Sequence, residues 1–297
     1  MERKNNDYKQ EHYLYGVLMI IFSAFCFACM NVMVRLAGEI PSVQKSFFRN
    51  LVAAVFAGMI IWRKQVSLHV KKEAGVSMAA RCIFGTIGIL CNFYAVDHLL
   101  VADASILNKL SPFFAIIFSY LLLKERITVF QAACMGTAFA GCLFIVKPGF
   151  ENTALLPAMI GVGGGLGAGI AYTMVRKLGA MGIKGPVIVF YFSLSSCLIV
   201  TPWILLHFAP MSFRQLFILL LAGVCAAGGQ FTITMAYTYA PAKKIYIYDY
   251  SQIIFATVLG YVIFGEIPDL YSFVGYGLIV AASLVMFVYN CRNERIG

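Results

Sequence analysis

Two charged residues lie deep inside apolar stretches of this chain, and they carry opposite signs. Lys109 is about eight residues into the stretch Val101–Leu123, and Asp249 is equally far into Ala242–Phe264. At a rise of ~1.5 Å per residue, each lies roughly 12 Å from the start of its segment. A charge at such a depth in a membrane needs a partner or a wet cavity. We therefore expect the two residues to form a permanent ion pair, to bind the charged ends of a substrate, or to exchange a proton.

Amide and phenol side chains accompany these charges. Gln230, Thr234 and Tyr237 recur at spacings of four and three, so they share one helix face. Because Arg49 cannot readily lose its proton, we expect it either to bind an anion as a clamp or to anchor the end of its helix. Individually, each amide is more typical of a helix–helix hydrogen bond, but together they predict a polar central cavity. The candidate substrate-binding residues are Asn31, Arg49, Asn92, Asn108, Lys109, Tyr172, Gln230, Tyr237, Tyr246, Asp249 and Gln252.

Motifs for catalysis or for a cofactor are not found in the sequence. Its four histidines lie at segment ends or in loops. The Cys26-x-x-Cys29 pair lacks further ligands at the spacing of a zinc site and the βαβ context of a redox motif. Gly161, Gly165 and Gly169 repeat every four residues inside an apolar segment, which predicts close helix packing rather than a dinucleotide site. We therefore predict no catalysis, no cofactor and no metal.

Membrane helices are the elements that must position the candidate residues. Hydrophobic residues make up 61% of the 297 residues and charged residues 12%, against roughly 45–50% and about 25% in soluble domains. Apolar runs of about 20 residues recur, which is the length that crosses the hydrocarbon layer of roughly 30 Å. The ten predicted spans are Tyr15–Arg35, Val43–Trp62, Ala74–Val96, Val101–Leu123, Ile127–Val146, Thr153–Val175, Pro186–Phe208, Phe213–Tyr239, Ala242–Phe264 and Leu270–Tyr289.

Basic residues favour one side of these spans. With the amino terminus placed inside, the inner side holds 17 Lys and Arg, Arg81 among them, and the outer side holds four. Arg49 and Lys109 lie within spans and complete the 23. Since positive loops stay in the cytoplasm, the sequence predicts a multi-pass protein of the cell membrane with both termini cytoplasmic. The loops also account for the net charge of +10, so nucleic acid is not a predicted partner.

The chain repeats itself at an offset of 141 residues. Tyr120 then falls on Tyr261 and Glu125 on Glu266, and the span boundaries coincide without gaps. Five spans per half is an odd number, so the halves must cross the membrane in opposite orientations. Inverted repeats with a site at their interface are a recurrent transporter architecture. Each of the two glutamates ends one span, where its carboxylate is expected to favour the amino terminus of the next.

Four patches, spread over nearly the whole chain, carry a family resemblance. They are Phe27-Ala-Cys-Met-Asn-Val-Met-Val-Arg35 with Phe47-Phe-Arg-Asn50; Ala102-Asp-Ala-Ser105 with Ser111-Pro112 and Leu123-Lys-Glu125; Ala168-Gly-Ile-Ala-Tyr172 through Arg176-Lys-Leu178; and Asp249-Tyr-Ser251 through Phe264-Gly-Glu-Ile-Pro268. They resemble the EamA-like family of the drug/metabolite transporter superfamily. The resemblance implies ten helices in two inverted halves, a central cavity and the movement of small metabolites. The first span holds no buried acidic residue, so the glutamate-centred proton exchange of the related four-helix exporters is not carried over.

The sequence thus predicts an all-α polytopic membrane protein with ten transmembrane helices, arranged as inverted five-helix repeats in residues 1–147 and 153–290. Its predicted function is secondary transport of a small polar, zwitterionic or anionic metabolite, amino-acid-like or nucleotide-related, by alternating access. Two alternatives stay open: a broad exporter of amphipathic compounds with its charges locked in a salt bridge, and a membrane-embedded enzyme acting on lipid. The predicted partners are the metabolite and membrane lipid. A coupling proton, and the choice between monomer and homodimer, are left open.

Overall fold

A computed structural model describes residues 2–70, 72–123, 128–146, 154–239 and 246–293, and each regular element in these ranges is helical. The α-helices are α1 (Glu2–Leu36), α2 (Ser42–Arg63), α3 (Gly75–His98), α4 (Val101–Asn108), α5 (Ser111–Leu123), α6 (Val129–Val146), α7 (Leu155–Ala180), α8 (Gly185–Leu206), α9 (Phe213–Tyr239), α10 (Ser251–Phe264) and α11 (Leu270–Asn293). Two 3₁₀ helices, Lys72–Ala74 and Tyr246–Tyr250, precede α3 and α10.

These helices occupy the ten predicted spans, which confirms the predicted fold class. Within the described ranges, eight stretches are long and apolar enough to span a membrane, with α4 and α5 joined in one of them. The shorter helix α6 and the 3₁₀ helix with α10 occupy the other two predicted spans. The 3₁₀ helix has five residues and α10 has 14. At ~2.0 and ~1.5 Å per residue they extend about 31 Å together, enough to cross the hydrocarbon layer.

Helix packing repeats between the two halves. In the first half, α1 packs against α9 and α10 of the second. In the second half, the equivalent helix α7 packs against α3, α4 and α5 of the first. Across the interface α2 contacts α8, and α6 contacts α11, each helix meeting its own counterpart. The 141-residue offset therefore relates contacts as well as sequence, and five crossings per half invert the two repeats.

Both copies of one span depart from α-helical geometry at the same place. The sequence predicted a continuous span over Val101–Leu123, but α4 ends at Asn108 and α5 begins at Ser111. Pro112 has no amide hydrogen, so the carbonyl of Asn108 loses its usual helical donor. In the second copy, the 3₁₀ helix Tyr246–Tyr250 occupies the positions equivalent to 105–109. Paired interruptions of this kind mark binding sites in inverted-repeat transporters.

Glycines allow α7 to approach this break, as the sequence predicted. A Cβ atom added at Gly165 would lie 2.8 Å from the carbonyl oxygen of Leu107. The equivalent atom at Gly169 would lie 2.9 Å from the carbonyl oxygen of Ser111. Gly163, on another side of the same helix, has open space around the added atom. The glycine spacing thus seats α7 on the interrupted span.

Gly165→Ala and Gly163→Ala form a matched pair that tests this packing. We expect Gly165→Ala to destabilise the protein by about 1–3 kcal/mol, because the methyl group collides with backbone. Gly163→Ala should leave stability unchanged or raise it slightly, since Ala is favoured over Gly in a helix by about 1 kcal/mol. Thermal unfolding of the purified variants in detergent measures both. Equal unfolding temperatures for the two variants would contradict the packing.

Candidate functional site

A cavity of about 100 Å³ lies where the two halves meet. Nine of the eleven candidate residues line it: Asn31, Arg49, Asn92, Asn108, Lys109, Tyr172, Gln230, Asp249 and Gln252. The side chains of the remaining two, Tyr237 and Tyr246, lie outside the part of the chain that the structure describes. Sites for drug-sized ligands usually measure roughly 300–1,000 Å³. This cavity must therefore widen to admit a substrate of more than a few heavy atoms.

The cavity follows the symmetry of the repeat. Six pairs of its lining residues are related by the 141-residue offset: Phe27 and Ala168, Met30 and Ala171, Asn31 and Tyr172, Ile89 and Gln230, Asn92 and Ile233, and Asn108 and Asp249. Each pair brings one residue from each half to the same cavity. Such an arrangement places the cavity on the pseudo-two-fold axis between the inverted halves, where inverted-repeat transporters hold their substrates.

Lys109 and Asp249 meet inside the cavity. The Lys109 ammonium donates to Oδ2 of Asp249, and the side chains are 8% and 18% exposed. Lys109 follows the last residue of α4, at the negative end of that helix dipole, and Asp249 precedes α10, at its positive end. The hydroxyl of Tyr250, the repeat equivalent of Lys109, donates to the Lys109 carbonyl at 3.1 Å. The interrupted helices therefore position the pair and satisfy one of the carbonyls at the break.

Arg49 enters the cavity from α2 and is held there by a polar chain. It is 6% exposed. Its Nη1 donates to Oδ1 of Asn50 at 2.5 Å, and Asn50 Nδ2 donates to Ser196 Oγ of α8 at 2.8 Å. Arg49 therefore lies within the bundle and not at an end of α2.

Arg81 is a cavity residue that sequence reasoning missed, because it was counted among the charges at the inner end of the third span. The structure buries it to 6% exposure on α3. Its Cζ lies 3.8 Å from the ring centroid of Phe192, a cation–π distance. One turn later, Gly85 leaves the space that the guanidinium occupies. The available signal was its place at the seventh residue of a 24-residue helix, too deep for a loop charge.

Four buried polar atoms at the cavity have no hydrogen-bond partner among the described residues. They are Asn31 Oδ1, Arg49 Nε, Arg81 Nε and Asp249 Oδ1. Two are acceptors and two are donors. Buried polar groups in folded proteins nearly always find a partner in protein, water or ligand. The cavity thus presents both unused donors and unused acceptors to whatever enters it.

One end of the bundle, which we call the closed face, carries the turns α1–α2, α3–α4, α8–α9 and α10–α11. Glu266 joins the two halves there. It pairs with Arg35 of α1, and its Oε2 accepts the Val101 N–H of α4 at 2.9 Å. The sequence predicted that this carboxylate would favour the next helix, α11. Instead it lies at the amino terminus of α4, because the turn after α10 folds back over the first half.

Further hydrogen bonds and an ion pair hold the closed face together. The side-chain amide of Gln44 exchanges two hydrogen bonds with the backbone of Ala209, each 2.9 Å. Gln215 Nε2 donates to the Ala37 carbonyl at 3.0 Å. Within the first half, Lys45 Nζ pairs with Asp97 Oδ1 at 2.5 Å. The first three bonds connect the two halves, so separating the halves at this face requires breaking them.

Comparison with known proteins agrees with this architecture. The model of the EamA-like transporter family matches residues 14–147 and 155–288. The pseudopaline exporter CntI of Pseudomonas aeruginosa is 30% identical over 273 residues, which cover 91% of this chain and 95% of that protein. The riboflavin transporter of Rhizobium johnstonii is 25% identical, covering 94% of this chain and 93% of that one. A solved crystal structure shares the fold, with a TM-score of 0.65 at 15% identity, over 94% of this chain and 98% of its own.

Proposed function

Because this chain belongs to the EamA-like transporter family and is a secondary transporter, not an enzyme, we propose that it moves a small anionic or zwitterionic metabolite by alternating access. The observation that carries the proposal is the cavity on the repeat axis. Polar residues from both halves line it, and both interrupted spans reach it. A cavity that is shared by two inverted halves is opened to either side when one half rocks against the other.

The charge of the cavity supports an anionic or zwitterionic cargo. Its described lining residues include three cations, Arg49, Arg81 and Lys109, and one carboxylate, Asp249. Uncompensated charge is costly inside a membrane. A substrate that brings negative groups would offset this cost on entering. The second candidate, a broad exporter of amphipathic compounds, is favoured by one observation only, the direct pairing of Lys109 with Asp249.

Alternating access requires a closure on each face of the bundle. The ion pair between Arg35 and Glu266 would close one face. At the 141-residue offset, Arg35 corresponds to Arg176 and Glu266 to Glu125. Glu125 and the Arg176 side chain lie outside the described residues. We propose that residues 1–147 and 153–290 move as units when the closed face opens.

The distribution of basic residues supports an orientation for this cycle. With Arg81 moved from the loop charges to the cavity, sixteen Lys and Arg against four support a cytoplasmic position for both termini in the cell membrane. In that orientation the closed face is the outer one. The state described here would then hold its outer side shut, with the cavity behind the ion pair of Arg35 and Glu266.

A cavity-filling variant tests the proposed pathway. The protein is reconstituted in liposomes and screened by counterflow against labelled amino acids, nucleotides and organic acids. We expect at least one pool to be transported, and Ala168→Phe to reduce that transport about tenfold or more, because a ring in the cavity costs at least 1.4 kcal/mol of binding. Ala140→Phe is the matched control, since Ala140 is exposed on α6 outside the cavity. Equal transport by the two variants would refute the pathway, and conversion of a lipid without any counterflow would refute transport.

A further inference from the structure

The two buried arginines of the cavity lack a carboxylate partner among the described residues. Each is 6% exposed, and the described ion pairs involve Arg35, Lys45 and Lys109 instead. A buried guanidinium without a counter-ion is expensive in a membrane. Since Arg stays protonated, the cost is met by an anion from outside the protein or by trapped water.

Both guanidinium groups are positioned by surrounding structure. Arg81 is stacked on Phe192, and Asn50 holds Arg49 to α8 through Ser196. Each arginine keeps its Nε donor unused. Arginine binds carboxylates through parallel N–H donors in a fixed fork. The pair therefore offers two separate carboxylate-binding positions, one on α2 and one on α3.

The two remaining unpaired atoms are acceptors, so they need a hydrogen-bond donor on the ligand. Asn31 Oδ1 and Asp249 Oδ1 are acceptors without a donor among the described residues. Tyr172 lines the same cavity as Asp249, Arg81 and Arg49. An ammonium or amine N–H on the ligand would satisfy the two acceptors. One molecule that meets the whole set carries an amine for the two acceptors and two carboxylates for the two arginines.

Charge balance favours a ligand with net negative charge, and the unused acceptors add the need for an amine. Three cations and one carboxylate leave the described lining with two positive charges in excess. A neutral amino acid leaves this excess unchanged, and a monocarboxylate removes half of it. A dicarboxylate without an amine removes it. An aminodicarboxylate, with a net charge of −1, removes half of it, and its ammonium also supplies N–H donors to the acceptors that Lys109 does not use. We infer that Arg49 and Arg81 form a paired anion clamp that selects amine-bearing dicarboxylates, an inference that rests on the proposed transport function.

Matched ligands test the clamp on the purified full-length protein. Binding is measured by thermal-shift titration with aspartate, glutamate and 2-aminoadipate. Glutamine, in which an amide replaces one carboxylate, and glutarate, which has no amine, are the matched controls. We expect at least one aminodicarboxylate to bind about tenfold more tightly than glutamine and glutarate, since a charge-assisted hydrogen bond is lost with each change.

Variants then connect this preference to the arginines. Arg81→Gln and Arg49→Gln should each abolish the preference for the dicarboxylate over glutamine, and Arg81→Lys should keep part of it. Arg63→Gln, at an exposed arginine at the end of α2, should keep the wild-type preference. A merely structural arginine would lower the binding of all ligands equally, and that outcome overturns the inference.

Different experimental results would refute the proposed clamp and the proposed transport function. If none of the aminodicarboxylates binds, or if glutamine binds as tightly, the clamp is refuted. If a zwitterion or an anion without the aminodicarboxylate pattern is transported and Ala168→Phe blocks its transport, the transport function holds and the clamp alone is overturned. Binding of aminodicarboxylates with the expected preference, together with counterflow of the same compounds, supports both.

Discussion

Asp249→Asn is expected to reduce transport about tenfold or more and to lower the melting temperature. The variant leaves the Lys109 ammonium buried without its carboxylate. Removing one partner of a buried ion pair typically costs about 3–5 kcal/mol, because the remaining charge stays desolvated. Lys109→Gln should have a similar effect for the mirrored reason. Liposome counterflow and thermal unfolding of the same preparations measure the two consequences separately.

The double variant Lys109→Gln/Asp249→Asn separates the two interpretations of this pair. It removes both charges, so we expect a melting temperature close to that of the wild type. If the pair binds substrate, transport stays as low as in the single variants. Transport at the wild-type rate would show that the pair only holds the helices together, and it would favour the broad exporter. Lys45→Gln/Asp97→Asn is the matched control, since this buried pair ties α2 to α3 within one half, away from the cavity.

Cross-linking residues 35 and 266 is expected to stop transport completely. Arg35 and Glu266 pair across the two halves at the closed face. Replacing both by Cys, in a background without the nine native cysteines, allows a reducible bifunctional thiol reagent to join them. Since the joined halves can no longer separate at this face, counterflow should fall to the level of empty liposomes. Reduction of the linker should restore it.

A second cross-link provides the control. Residues 45 and 97 also pair at this face, but both belong to the first half. The double-Cys variant at these positions should cross-link and still transport, because the motion of one half against the other remains possible. Full transport with residues 35 and 266 linked would contradict the assignment of this face as a gate.

The sequence predicted the parts of the site that depend on membrane physics and on the repeat. A lysine and an aspartate about eight residues inside apolar spans each needed a partner, and the structure pairs them. The opposite orientation of the halves followed from counting five spans. Asn31, Asn92 and Gln230 were candidates because amides are rare in such spans, and they line the cavity.

Other features depended on contacts that a single sequence does not contain. Arg81 was assigned to the loop charges because charge near a helix start is typical of a loop, and only Phe192 and Gly85 reveal its burial. Glu266 was assigned to the neighbouring helix because capping is usually local. Its partners, Arg35 and Val101, are distant in sequence. The break after Asn108 had a local signal in Pro112, but proline is also tolerated in the first turn of a helix.

The paired lining of the cavity has a thermodynamic consequence. If the halves were identical, the two end states of the cycle would be the same structure turned upside down, with equal free energies. The pairs differ in chemistry: Asn108 matches Asp249, and Asn31 matches Tyr172. Each difference changes one end state more than the other, and about 1.4 kcal/mol already gives a tenfold bias in population. We therefore expect the empty carrier to be open mainly toward one compartment. The residue pairs that differ between the two halves determine which compartment that is.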